Sequence, residues 1–196
     1  MLHSLQLYNP SWANALGMPP FKKIVIFGVG LIGGSFALAL KKAGVVEQIV
    51  GVGRRLETLE RAKSLGIIDV IDDASAVRDA DLVLLATPVA QTQAVLEAIA
   101  PYLQPHTVVT DAGSTKSDVV QAARFALGEK IAQFVPGHPI AGREQNGPEA
   151  ALADLYIGKK VVITALPENA AASVASVRSA WQHCGALIHE LTAEEH

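Results

Sequence analysis

The chain has a single cysteine, Cys184, among its 196 residues. No intrachain disulfide or thiolate cluster can form, and a reducing cytoplasm is the expected setting. No run of about 18 apolar residues occurs, so no membrane-spanning helix is expected. Basic residues are in slight deficit: Lys and Arg number 16 against 19 Asp and Glu, for a net charge of −3. Neutralising a phosphate backbone needs a basic surface, so a nucleic-acid partner is not expected. No histidine–carboxylate spacing suggests a metal site. Internal repeats and low-complexity tracts are missing as well. Residues 1–20 lack both the basic start and the continuous apolar stretch of a secretory signal. They read as a flexible extension, and Met18, just before "PPFKKIVIF", is an alternative natural start.

What the sequence does have is apolar material in a regular order. Half of the residues are apolar and 18% are charged, enough for a buried core. From Phe21 onward, short apolar runs alternate with amphipathic ones. Strands are expected at 23–28, 48–53, 80–88, 107–114, within 132–142, at 159–165 and at 186–191. Helices are expected at 31–44, 56–66, 89–103, 114–128 and 168–185, with Gly44 and Gly66 as stop signals. Short hairpin turns do not join successive strands. This order predicts an α/β fold with a doubly wound, mostly parallel sheet of Rossmann type across 21–191. Residues 192–196 read as the opening of a further helix, with Thr192 as its N-cap and Glu194 and Glu195 in its first turn.

The segment "GVGLIGGS" (28–35) carries G-x-G-x-x-G at Gly28, Gly30 and Gly33. Glycine is common, and a purely structural turn is the competing reading. Here the motif follows the first expected strand and opens a helix, the context that dinucleotide binding requires. Gly28 permits a tight turn, Gly30 lets backbone approach a pyrophosphate, and Gly33 allows close helix–strand packing. Leu31 and Ile32 complete the candidate loop. The second strand bears on which dinucleotide is bound. NAD-binding sites often carry Asp or Glu about 20 residues past the loop, on the ribose 2′-hydroxyl. Here Gly53, Arg54 and Arg55 stand there instead. Guanidinium pairs with a 2′-phosphate where a carboxylate would repel it, so NADP is favoured over NAD. The competing reading is that both arginines are solvated charges at a strand end.

Ligands of such folds collect at the carboxyl ends of the strands. Ala86, Thr87 and Pro88 end the third expected strand and are candidate cofactor contacts. "DAGSTK" (111–116) ends the next and offers Ser114 and Lys116. Lys116 either reaches a phosphate or carboxylate or is a solvated residue at a helix start. Ser114 either touches substrate or is a turn or N-cap residue. "GHPIAGRE" (137–144) offers His138, Arg143 and Glu144. His138 reads as a loop residue, and an imidazole neutral near pH 7 suits taking a proton from an alcohol that loses hydride. Glu144 would pair with Arg143 or tune His138.

With these segments together, residues 21–196 resemble the prephenate/arogenate dehydrogenase family of tyrosine biosynthesis. "GLIGGS" followed by D-x-GS-x-K and HP-x-AG-x-E is far more specific than any one motif. The resemblance implies an enzyme in which a nicotinamide cofactor takes hydride from the substrate's ring carbon bearing the hydroxyl while the ring carboxylate leaves as CO₂. It implies His138 as the base, Ser114 as the residue that positions the hydroxyl, and Glu144 at the edge of the substrate pocket. Gly53-Arg54-Arg55 departs from the acidic strand end of NAD-using members and looks like the NADP-using ones. Family members also continue into a helical domain that dimerises and binds the substrate carboxylate. This chain stops where that domain would begin, so it is expected to bind cofactor and turn over poorly alone. Two further readings stay open: another NADP-dependent hydroxy-acid dehydrogenase, or a dinucleotide-sensing module without chemistry.

Overall fold

A computed structural model describes residues 20–191. The expectations for the N-terminal extension, for Met18 as a start and for a helix from Thr192 lie outside the described residues.

Strand β1 (Phe21–Phe27) runs through the middle of the molecule. Its residues Ile24, Val25 and Ile26 are all fully buried, as expected of a strand covered on both faces. Successive side chains point to opposite faces. Ile24 and Ile26 therefore join one core, and Val25 and Phe27 join a second. The chain continues through α1 (Leu31–Ala43), β2 (Val46–Val52), α2 (Leu56–Ser64), β3 (Val70–Ile71) and β4 (Leu82–Leu85). It then forms α3 (Thr92–Ile99), β5 (Val108–Asp111), α4 (Lys116–Leu127) and β6 (Phe134–Val135). These six strands form one parallel sheet in the order β3-β2-β1-β4-β5-β6. The crossover reverses direction between β1 and β4, which opens the crevice where such sheets bind ligands. Helices α1 and α2 cover one face, and α3 and α4 cover the other.

The region 132–142 departs from the expected single short strand and loop. Residues 128–133 form a 3-10 turn, β6 ends at Val135, and Pro136 separates it from β7 (Gly137–Pro139). Strand β7 leaves the parallel sheet and pairs antiparallel with β8 (Lys160–Ile163). Strand β8 in turn pairs in parallel with β9 (Leu187–Glu190), which follows α5 (Ala171–His183). A second, three-stranded sheet results, in the order β7-β8-β9. Its Val161 and Ile163 are buried in the same core as α1. Strand β3 escaped the sequence reading because it has only two residues, set among the polar "DVIDDAS".

Trp181 of α5 joins the two sheets. Its ring meets Phe36 of α1 edge-on at 4.6 Å and Tyr156 at 5.1 Å between centroids. All three side chains are fully buried. Cys184 lies in the same core, where burial pushes its thiol up, away from the reactive thiolate form. Replacing Trp181 with alanine should remove about 3–5 kcal/mol of stability in chemical denaturation. Trp181→Phe should cost less, because the indole N–H it removes is buried without a hydrogen-bond partner among the described residues.

Candidate active site

The turn after β1 is shaped by two close approaches. Gly28 has φ +89°, and a Cβ there would stand 2.6 Å from the Ala86 carbonyl oxygen. A Cβ on Gly33 would stand 2.1 Å from the Gly28 carbonyl oxygen and 2.9 Å from Ile26 Cγ2. Only hydrogen at these positions lets α1 sit this low over β1 and the end of β4. Gly30 differs, because a Cβ there would meet nothing within 4 Å. Gly30 is also the N-cap of α1, with no side-chain cap and no acidic residue in the first turn. The helix thus presents unsatisfied N–H groups and its positive dipole end to open space, which suits a pyrophosphate.

That space is a cleft of about 930 Å³. Of the expected cofactor residues, Gly28, Gly30, Gly53, Arg54, Arg55, Ala86, Thr87 and Pro88 line it. Leu31, Ile32 and Gly33 do not. Leu31 and Gly33 are buried, and the Ile32 carbonyl accepts a hydrogen bond from the Tyr156 hydroxyl at 2.7 Å. Arg54 and Arg55 are exposed and form no ion pair with another described residue. Thr87 Oγ1 is buried without a partner among the described residues. The donor set therefore fits a dinucleotide: helix amides for the pyrophosphate, guanidinium groups for the ribose end, and the unpartnered Thr87 hydroxyl on the cleft wall.

Sequence reading missed several walls of the cleft. Thr58 lines it from the first turn of α2, beside the arginines, and Gln91, Ala94, Val95 and Ala98 line it from around α3. The steps of three and four residues from Gln91 were the available signal. Gly147 also reaches the cleft. The segment after it is tied to the helices by Arg61 Nε to Glu149 Oε1 at 2.8 Å and by the Leu152 N–H to Ser35 Oγ at 2.9 Å.

The remaining expected residues lie outside the cleft, beyond its β4 wall. The chain after β5 abuts that wall: a Cβ on Gly113 would be 3.1 Å from Val89 Cγ2. Ser114 follows and is exposed. The N-cap of α4 is Thr115, so Ser114 is not the cap. His138 is partly buried and lies on β7 opposite Val162, which corrects its reading as a loop residue. Gly-His-Pro concealed the strand, whose partner β8 comes more than twenty residues later. Glu144 and Arg143 are exposed and form no ion pair with each other.

Lys116 departs furthest from expectation. It is neither solvated nor directed at open space, but only 3% exposed. Its ammonium donates to Asp111 Oδ2 at 2.5 Å and to the Gly137 carbonyl at 2.6 Å. Asp111 also accepts the Gly113 N–H at 2.8 Å and the Gly137 N–H at 3.0 Å. Burial pushes the Asp111 carboxyl up and the Lys116 ammonium down, while the attraction between the two opposes both shifts.

Gly30 and Gly28 give contrasting tests of the cleft. Gly30→Ala should fold normally yet weaken dinucleotide binding about tenfold or more, equivalent to about 1.4 kcal/mol. Gly28→Ala should unfold at lower temperature, since the clash is with backbone at a left-handed φ. Calorimetric titration and thermal melts of both variants check the contrast.

Comparison with known proteins agrees with this geometry. Residues 36–190 match the family model "Prephenate dehydrogenase, nucleotide-binding domain". Cyclohexadienyl dehydrogenase of Zymomonas mobilis is 37% identical over 182 residues, covering 91% of this chain and 61% of that protein. Prephenate dehydrogenase of Bacillus subtilis is 36% identical over 176 residues, covering 88% of this chain and 47% of the relative. The chain thus spans about half to three-fifths of these relatives' length. Among solved structures, prephenate dehydrogenase from Aquifex aeolicus, in complex with hydroxyphenyl propionate and NAD+, superposes with a TM-score of 0.82 at 34% identity. That match covers 88% of this chain and 60% of the other. Synechocystis arogenate dehydrogenase superposes with a TM-score of 0.80 at 30% identity, covering 87% and 60%. The chain belongs to the prephenate/arogenate dehydrogenase family, as its nucleotide-binding domain.

Proposed function

We propose that this domain serves an NADP-dependent dehydrogenase that oxidatively decarboxylates prephenate or arogenate. The observation that carries the reading is one of adjacency. Thr87 and Pro88 line the cleft, and Gly113 and Gly137, the residues just before Ser114 and His138, are both hydrogen-bonded to the one buried ion pair. A bound nicotinamide supplies the hydride acceptor. His138 takes the proton of the substrate's ring hydroxyl as the ring carbon loses hydride. Ser114 donates to or accepts from the same hydroxyl and holds it toward the imidazole. Loss of the ring carboxylate as CO₂ leaves an aromatic ring, which makes the step effectively irreversible. Glu144 borders the substrate. Contacts to the substrate's carboxylates come from the part of the relatives' length that this chain does not span, where the homodimer also forms.

His138 as base predicts a separation of chemistry from binding. In the full-length enzyme, His138→Asn should lower kcat by roughly 10²–10⁴-fold and leave NADP⁺ affinity unchanged. Undiminished turnover would dismiss His138.

The preference for NADP rests on Arg54 and Arg55 in the cleft wall and on the lack of a carboxylate at the end of β2. Arg54→Ala with Arg55→Ala should weaken NADP⁺ binding about tenfold or more and change NAD⁺ binding little, since a guanidinium–phosphate bond contributes about 1.5–3 kcal/mol. Wild-type protein that binds NAD⁺ as tightly as NADP⁺ in the same titration would refute the preference.

A further inference from the structure

Among the described residues, Asp111–Lys116 is the ion pair with both side chains buried, each 2% exposed. The other pairs have at least one well-exposed partner. Desolvating two charges is costly, and apolar residues of similar volume often serve stability as well or better. The pair's remaining bonds show what apolar residues could not do. Asp111 holds the N–H of Gly113, which precedes Ser114. Asp111 and Lys116 together hold the N–H and the carbonyl of Gly137, which precedes His138. Asp111 is the last residue of β5 in the parallel sheet, whereas Gly137 is the first residue of β7 in the second sheet. No ladder hydrogen bond joins these two strands, since β7 pairs with β8.

We infer that the Asp111–Lys116 pair is a positioning device that sets the placement of Ser114 relative to His138, and that Lys116 is not a substrate ligand. The inference rests on the dehydrogenase reading above. Each charge fastens a glycine whose next residue carries a reacting side chain. Pro136 alone links the two sheets along the chain here, and the bonds of the pair orient the backbone at Gly113 and Gly137 about that link. A displacement of about 1 Å at reacting groups costs on the order of 100-fold in rate.

The test uses the full-length enzyme with NADP⁺ and both candidate substrates. Lys116→Met alone strands a buried carboxylate and risks misfolding, so the informative variant is Asp111→Asn with Lys116→Met, which buries no unpaired charge. The expected result is a kcat lowered about 100-fold, with NADP⁺ affinity and substrate KM within about twofold of wild type. Adding the pair of substitutions to His138→Asn should cause little further loss, because the pair acts through His138. A KM that rises while kcat holds would assign Lys116 to substrate and overturn the inference. So would an unchanged kcat, or losses that multiply in full in the triple variant. Those outcomes leave the dehydrogenase reading standing. A wild-type enzyme inactive on both substrates overturns that reading and the inference with it.

Discussion

The approach of α1 to β1 is the constraint on which the cleft depends. Gly33 lies against the Gly28 carbonyl, and Gly28 lies against the Ala86 carbonyl, with no room for a side chain at either point. These contacts draw the end of β4 and the start of α1 together at the reversal of strand order. The free amides of the helix consequently open onto the same space as Thr87 and Arg54. An additional methyl group would displace a helix end whose core face is already filled by Phe36 and Leu40, both fully buried. The interior is close-packed, so such a shift would propagate to the sheet.

The chain around Ser114 and His138 is tied together by charge. The chain itself brings β7 close to β5, since β6, the partner of β5, leads into β7 through Pro136, and a Cβ on Gly137 would stand 3.0 Å from the Asp111 carbonyl. Apolar packing around this junction is non-directional and does not by itself orient the backbone at Gly113 and Gly137. Hydrogen bonds from Asp111 and Lys116 are directional and join specific backbone atoms. Burial strengthens those bonds electrostatically and at the same time makes an unpaired partner costly. Exposed pairs such as Arg61–Glu149 are screened by solvent and act as local ties.

Much of the parallel sheet was legible because its strands are buried on both faces and read as apolar runs between helical periods. The glycine cradle was legible because its residue types are required by close contact at fixed spacing. Lys116 was not legible. Its partner stands five residues earlier, across a strand end, a turn and a helix start, and no local periodicity relates them. His138 was read as a loop residue, because Gly-His-Pro carries no strand signal. Its strand exists only because β8 pairs with it. The walls supplied by Thr58 and Gln91 were likewise hidden, since they depend on which helix faces turn toward the crevice.

By itself, the sequence determined the α/β order of elements, the turn that cradles a dinucleotide and the basic end of β2. Each of these follows from local requirements: the periodicity of burial, the glycine needed at a tight contact, and the residue types that follow the second strand. Only the tertiary structure decided that the chain splits into two sheets after Pro136. Only it buried Lys116 against Asp111 and the Gly137 carbonyl. Both outcomes arise from contacts between segments distant along the chain, and the free energy of such contacts depends on geometry that no single segment encodes.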